Sequence, residues 1–413
     1  MNCGGGGLHS LIDLGLQPSG NHFISEADIP TEPVFPLEML ICSDCWQVQI
    51  SEFPPQEMLF SDHPYVTGVN VPVVEHFRRM AADAVERLKL RPGDLVMDIG
   101  CNDGTLLGMF AAQGMTTMGI DPGKRVTDLA RADGHVVGRC FFNRKTGEAL
   151  ETLGIRPKLI TATAVFYHVP DLHDFIDGLD AVMDEETVFL VQGVNLLDLI
   201  ENLEFDHFYH EHSCIHAIAP LEKLFAAHGM RLLDVEFCPI HGGSFVAYVG
   251  RDTHSMPTSP NVAAAIRREY DAGLSTLERY ERFARDVRSN MDELKNLLER
   301  LKAEGKSVYG LGAPLKGSTL LNYCDIGPDL VPCLTEVNEF KIGKLAPGVH
   351  IPVVDERTLG EVPDYYLVLS WNFADYFIRK YADYLRAGGK FIIPVPRTRI
   401  VGAEALDGEI ADG

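Results

Sequence analysis

No stretch of this 413-residue chain reaches the roughly eighteen consecutive apolar residues that a membrane-spanning helix needs. Residues Met1 to Leu16 carry no basic region followed by an apolar run, so no secretory signal is expected. These two absences lead us to expect a cytoplasmic protein with no membrane partner. Net positive charge is missing as well, the formal charge being −23. So acidic a chain repels phosphate polyanions at long range, which argues against nucleic acid as a partner. A small nucleotide stays compatible, because a few local basic groups suffice to hold it. Short-period repeats and low-complexity tracts are absent. The nine cysteines are an odd number in a long chain without a signal, so a disulfide framework is not expected.

What is present describes an ordinary globular chain, with 46% hydrophobic and 23% charged residues. Its length calls for two or three cores rather than one. The first sixty or so residues are rich in Gly and Pro (Gly4 to Gly7, Pro18, Pro30, Pro33, Pro36, Pro54, Pro55) and read as a small loop-rich module. Helical spacing of Val73, Val74, Phe77, Met80, Ala81, Ala84, Val85 and Leu88 follows, and Arg91-Pro92-Gly93-Asp94 ends it. Apolar strands then alternate with helical runs: Leu95 to Ile99, Met115 to Ile120, Leu159-Ile160, Val188 to Val191, Leu232 to Val235 and Phe245 to Val249. This alternation predicts a parallel, doubly wound sheet. Residues Asn261 to Glu304 read as helix, with Phe283, Val287, Met291, Leu294, Leu298 and Leu301 on one face. The strand–glycine–helix pattern restarts at Ser307 to Leu311, and Tyr366 to Leu369 and Phe391 to Ile393 continue it. The expected class is α/β: two Rossmann-like doubly wound domains behind a small N-terminal module, divided as 1–64, 65–255 and 256–413.

Four motifs carry chemistry. Asp98-Ile99-Gly100-Cys101-Asn102-Asp103-Gly104 ends a strand and opens a helix, where glycines permit a sharp turn and helix N–H groups face a ligand. Asp121 closes the next strand, where an acid can accept both ribose hydroxyls. The loop is not G-x-G-x-x-G, and an acid before its glycine suits a nucleoside with a cationic amino-acid end, as S-adenosylmethionine has. Phe205-Asp206-His207-Phe208-Tyr209-His210-Glu211-His212 gathers His bases, carboxylates and a tyrosine in eight residues, as proton abstraction and oxyanion support require. A polar surface loop or a cluster of satisfied buried histidines would read the same way. Cys42-Ser43-Asp44-Cys45 is half of a zinc site or a redox pair, with Cys3 and His9 as upstream candidates. Gly310-Leu311-Gly312-Ala313-Pro314-Leu315-Lys316-Gly317-Ser318 resembles a phosphate loop and equally a structural turn.

Taken together and in order, these motifs resemble the sugar C-methyltransferases of deoxysugar pathways. The resemblance begins at Asp13-Leu14-Gly15-Leu16-Gln17-Pro18 and runs through the motifs above. It continues to His241-Gly242-Gly243, Pro347-Gly348-x-His350-Ile351-Pro352 and Trp371-Asn372. It implies a zinc-binding N-terminal domain, S-adenosylmethionine as cofactor, and a nucleotide-linked keto-deoxysugar methylated beside its ketone. By resemblance His212 is the base and Tyr209 its partner at the oxyanion, with Glu211, His168 and Tyr65 in the same pocket. Asp98, Gly100, Asn102, Asp103, Gly104, Asp121, Pro122 and Phe142 are the expected cofactor contacts. His241, Lys316, Asn338, Lys341, Trp371 and Asn372 are the expected substrate contacts. Zinc is expected on Cys3, Cys42 and Cys45, with His9 or water as the fourth ligand.

The chain departs from the family pattern in several places. The upstream cysteine pair is reduced to Cys3, Ala164 stands where Asn is usual, Gln192 lies near a usual acid, Cys140 precedes Phe141-Phe142 in place of an acid, and Val66 to Asn70 replaces a serine-rich run. The competing readings are a nucleotide-sugar oxidoreductase, a methyltransferase of a non-sugar carbon acid, and a degenerate fold kept for binding.

Overall fold

The structure, a computed structural model, describes residues 1–61 and 65–406. The module boundary expected at residue 64 and residues 407–413 of the last block lie outside the described residues. By compactness the chain forms two units, each discontinuous: Met1–His9, Leu40–Asp198 and Glu211–Thr276 in the first; Ser10–Met39, Leu199–His210 and Leu277 onward in the second.

The first unit is built on a seven-stranded sheet, here numbered β1 (Leu95–Ile99), β2 (Thr116–Ile120), β3 (Val136–Gly138), β4 (Leu159–Thr163), β5 (Val188–Val194), β6 (Met230–Cys238) and β7 (Ser244–Arg251). Across the sheet the order is β6-β7-β5-β4-β1-β2-β3. β3 to β5 pair in parallel, whereas β7 runs antiparallel to both β5 and β6. The sheet is therefore mixed, not wholly parallel as the alternation of elements predicts. β6 and β7 follow each other through a short turn, and only antiparallel neighbours can be joined that way. β4 and β5 are buried along their whole length, as parallel strands covered on both faces must be. The helix Val71–Arg87 is capped by Asn70, whose side chain accepts from the Val73 N–H at 3.4 Å. Its Val73, Phe77 and Met80 pack into one core with Val96, Leu159 and Val188. Each such side chain, fully buried, contributes about 1.5–3 kcal/mol.

The second unit carries a six-stranded sheet: β8 (Val308–Leu311), β9 (Leu334–Glu336), β10 (Val353–Asp355), β11 (Tyr365–Val368), β12 (Lys390–Ile393) and β13 (Arg399–Val401). Its order is β10-β9-β8-β11-β12-β13, parallel except for β13. In both sheets the first strand lies centrally and the order reverses beside it, the arrangement of Rossmann-type nucleotide-binding sheets.

Two sequence expectations need correction. The stretch Asn261 to Glu304 is two helices, Pro260–Asp271 and Leu277–Ala303, rather than one. Gly273 between them takes φ +82°, which a helix interior does not allow. The second helix does bury all six of the side chains read as its apolar face. The N-terminal region is not loop-rich throughout but contains the long strands Leu8–Pro18 and Val34–Cys42. In the latter Leu37, Met39 and Ile41 are buried, a period of two that the nearby prolines mask. The architecture is thus an α/β fold with mixed sheets of Rossmann type and an N-terminal cysteine cluster. Among the described residues no helix is long and apolar enough to cross a membrane.

Candidate active site

In the first unit a cavity of about 260 Å³ opens at the carboxyl ends of the parallel strands. Asp98 and Gly100 at β1, Asp121 and Pro122 at β2, Thr163 and Ala164 at β4 and Gln192 at β5 line it. This is the switch point of the strand order, where α/β sheets bind ligands. Gly100 makes the turn possible: its φ is +74°, and a Cβ there would lie 2.2 Å from Val165 Cγ2. Phe142 and His241 also line the cavity. Asp98 accepts from the Thr161 hydroxyl at 2.6 Å. Burial, with the charge of Asp121 adding to it, pushes the Asp98 carboxyl up to about 7, against the pull of that hydrogen bond. An acid so desolvated gains most when a cation arrives beside it.

Asp121 organises the loop. Its Oδ2 accepts from the Asn102 N–H at 3.0 Å and its Oδ1 from the Gly123 N–H at 2.7 Å. Asn102 in turn accepts from the Thr67 N–H at 2.9 Å and donates to the Tyr65 carbonyl at 3.2 Å. Asp103 accepts from the Gly68 N–H at 2.8 Å and from the Thr105 hydroxyl at 2.6 Å. The glycine loop is therefore strapped to the segment that carries Tyr65. Asp103 and Gly104 are not on the cavity wall; they cap and open the helix Thr105–Ala111.

Above the cavity an aromatic and imidazole cluster gathers. His168 and Tyr65 line the wall. The His168 ring lies 5.2 Å from His212 and 4.6 Å from Tyr167, and Tyr167 meets His212 edge-on at 4.5 Å. His212 and Glu211 are buried behind them, at 2% and 6% exposure. Tyr167 is held well above the usual phenol range by burial first, then by Tyr65 and the Glu211 carboxylate. Tyr65, though 40% exposed along the site, is raised to about 12 by desolvation and Asp103. The His168 carbonyl is fixed by the Ser213 hydroxyl at 3.1 Å and the Gln56 amide at 3.3 Å. Sequence reasoning missed Tyr167, Gln56 and His76, whose Nε2 lies 3.2 Å from Gln192 Oε1. An aromatic–His pair just past a buried strand was the available signal for Tyr167.

The remaining expected residues belong to the second unit. Tyr209 is half-buried, two residues before Glu211 in the chain. Lys341 donates to the Ala313 carbonyl at 2.9 Å and lies 5.0 Å from the Phe23 ring centroid. Burial lowers its pKa, opposed by Glu336. Asn338 accepts from the Phe340 N–H at 3.0 Å, and its own N–H donates to Glu336 at 3.1 Å. Lys316 is half-buried, its Nζ 3.3 Å from His207 Nε2 and 4.3 Å from the centroid of the Trp371 ring. Trp371 donates its indole N–H to Asp206 at 2.6 Å, and Asn372 is half-buried in the turn that follows.

The cysteine cluster forms as well. The sulfurs of Cys3, Cys42 and Cys45 lie within 4.8 Å of one another, Cys3 to Cys42 at 3.7 Å. Tetrahedral zinc, with Zn–S near 2.3 Å, sets its sulfurs about 3.8 Å apart, so the three fit that ion. The Gly5 N–H points at the Cys3 sulfur from 3.4 Å. His9 is not in this group; its Nε2 lies 3.2 Å from the Ser43 hydroxyl.

Comparison with known proteins gives three consecutive family matches. Residues 2–60 match a candidate zinc binding domain, 73–235 a methyltransferase domain, and 239–396 a C-methyltransferase C-terminal domain. The C-methyltransferase NovU of Streptomyces niveus is 32% identical over 405 residues, spanning 98% of this chain and 96% of its own. Among solved structures, magnesium protoporphyrin IX methyltransferase from Synechocystis PCC 6803 is 17% identical, over 44% of this chain and 84% of its own, with a TM-score of 0.34. A methyltransferase from Clostridium acetobutylicum ATCC 824 is 14% identical, over 43% and 92%, also at 0.34. Likeness at that level adds nothing to the sequence match.

Proposed function

The chain belongs to the C-methyltransferase family, and on that premise we propose that it methylates the carbon beside the ketone of a nucleotide-linked keto-deoxysugar with S-adenosylmethionine as donor. The observation that carries this reading is the cavity at the switch point of the first sheet with the His168–Tyr167–His212 cluster on one side of it. The cofactor supplies an already activated methyl group on a sulfonium. Asp98, Gly100, Asn102, Asp121, Pro122 and Phe142 are the proposed residues that hold it, with Asp103 and Gly104 shaping the loop. The desolvated Asp98 and the close approach allowed at Gly100 favour a cationic ligand there.

What remains for the protein is to take a proton from a weak carbon acid, support the oxygen as charge grows on it, and keep the partners aligned. His212 is the proposed base, with Glu211 beside it in the chain. Tyr65 and His168 offer polar contacts on the wall. His168 is a second candidate for the base, because it lines the cavity and His212 does not. Tyr209 as oxyanion donor rests on its sequence position. His241 on the cavity wall is a proposed substrate contact; Asn338, Lys341 and Asn372 are proposed from the resemblance alone. We read the fold as two Rossmann-like domains and a small structural zinc module held by Cys3, Cys42 and Cys45. The test is methyl transfer from radiolabelled S-adenosylmethionine to a panel of nucleotide-linked keto-deoxysugars. Labelling of none of them, with S-adenosylhomocysteine bound normally, defeats the sugar reading.

A further inference from the structure

The segment Phe205 to His210 is anchored in the second unit at nearly every residue. Phe205 packs against Tyr323, with ring centroids 5.3 Å apart, and Phe208 against Phe283 at 6.0 Å. Asp206 receives the Trp371 indole N–H at 2.6 Å. His207 faces the Lys316 Nζ at 3.3 Å. His210 Nε2 lies 3.1 Å from the Pro36 carbonyl, and its ring meets Phe35 edge-on. All of these are buried, and Tyr209 alone in the segment is half-buried. Fixing neighbours on both sides of one side chain, and leaving that side chain in part open, is how a chain holds a reacting group in a single position.

We infer that Lys316 and Trp371 are positioning residues for Tyr209 rather than contacts to substrate. Both are committed to protein partners. Lys316 is half-buried beside the Trp371 ring, and the Asp206 and Glu204 carboxylates offset the burial that lowers its pKa. A partly buried ammonium is held by such carboxylate neighbours, because without them its charge stands unpaired. Asp206 depends on the pair in return. Its Oδ1 is buried without a hydrogen-bond partner among the described residues, so the Trp371 indole and the Lys316 charge hold the carboxylate between them. Trp371 lies three residues past β11, and Lys316 in the first turn of the helix after β8. The two central strands of this sheet therefore grip the residues just before Tyr209.

This inference rests on the proposed role of Tyr209, and its test separates the two. The protein is labelled with 3-fluorotyrosine, and the Tyr209 fluorine signal is identified among the 13 tyrosines by its loss in Tyr209→Phe. Trp371→Phe keeps an aromatic ring and removes the indole N–H. The pair Lys316→Met with Asp206→Asn removes both charges together and serves if the first variant does not fold. In each, the Tyr209 signal shifts or broadens while affinity for S-adenosylhomocysteine is unchanged. Turnover falls by about tenfold to a hundredfold, the scale of small misplacements, with KM for the sugar unchanged. In the Tyr209→Phe background Trp371→Phe costs nothing further, because the two act through one group. An unmoved Tyr209 signal overturns the inference, and so does a raised KM with turnover intact. A shifted signal together with a fully active Tyr209→Phe supports the positioning and removes the chemical role of Tyr209 instead.

Discussion

The main-chain N–H of Asn102 reaches the Asp121 carboxylate over 3.0 Å, across the tips of two adjacent strands. Asp121 therefore fixes the loop, and it also lines the cavity. Asp121→Ala is expected to weaken S-adenosylhomocysteine binding by about 1–3 kcal/mol, the cost of lost hydrogen bonds to a charged group. Asp121→Asn, which keeps one acceptor oxygen, loses less. Calorimetry decides, and equal affinity in all three proteins rules out the placement of the cofactor.

His212→Asn is expected to lower turnover by about a hundredfold or more, the scale of a lost general base. Cofactor affinity stays as it was, because the imidazole acts on the sugar. Exchange of the substrate α-proton with deuterated water, followed with S-adenosylhomocysteine present, should occur in the wild type and vanish in the variant. Normal exchange in His212→Asn and none in His168→Asn would move the base to the cavity wall.

The Asp98 carboxyl, raised to about 7 chiefly by burial, gives a pH signature. A carboxyl freed by unfolding titrates near 4, so between about pH 4 and 7 the folded chain keeps a proton that the unfolded chain has lost. Stability from this group is complete below that window and declines as pH rises through it. Glu269, also pushed to about 7 mainly by burial, adds in the same direction. Urea titrations of wild type and Asp98→Asn from pH 5 to 7 should differ in slope by up to about 1.4 kcal/mol per pH unit. Parallel slopes would show that Asp98 is not protonated in the folded protein.

Purified protein is expected to carry one zinc ion, lost in Cys42→Ser and weakened in Cys3→Ala. With three protein sulfurs and water as the fourth ligand, the ion should yield to chelators more readily than a four-thiolate site does. Melting temperature should fall on chelation, while S-adenosylhomocysteine affinity holds. Elemental analysis that finds no metal in fully stable protein ends this reading.

Where the sequence was legible, one physical signal dominated. Leu95 to Ile99 and Val188 to Val191 are nearly continuous apolar runs, as strands buried on both faces have to be. The apolar face of Leu277–Ala303 repeats at the helical period, and all of it is buried. The strand Val34–Cys42 was harder, because Pro36 and the surrounding prolines suggest turns while the alternation of Leu37, Met39 and Ile41 is only three residues long. The direction of β7 could not be read, since an antiparallel strand with both faces covered has the same composition as a parallel one. At the site, Asp98, Gly100 and Asp121 stood out through spacing. Tyr167 did not, because its place beside His212 depends on residues 45 apart in the chain, a separation that no local pattern records. The same holds for Asp206 and Trp371, whose hydrogen bond spans 165 positions.

The discontinuity of the two units bears on how the protein is made. Residues 10–39 are synthesised long before the residues from Leu277 onward that complete their compact unit. The strip Leu199–His210 waits in the same way, while residues on either side of it are already folding with the first unit. No single cut therefore frees either unit intact. A fragment starting at Leu277 lacks two strips of its own core, and expressed alone it should aggregate or stay unfolded unless those strips are supplied as separate chains.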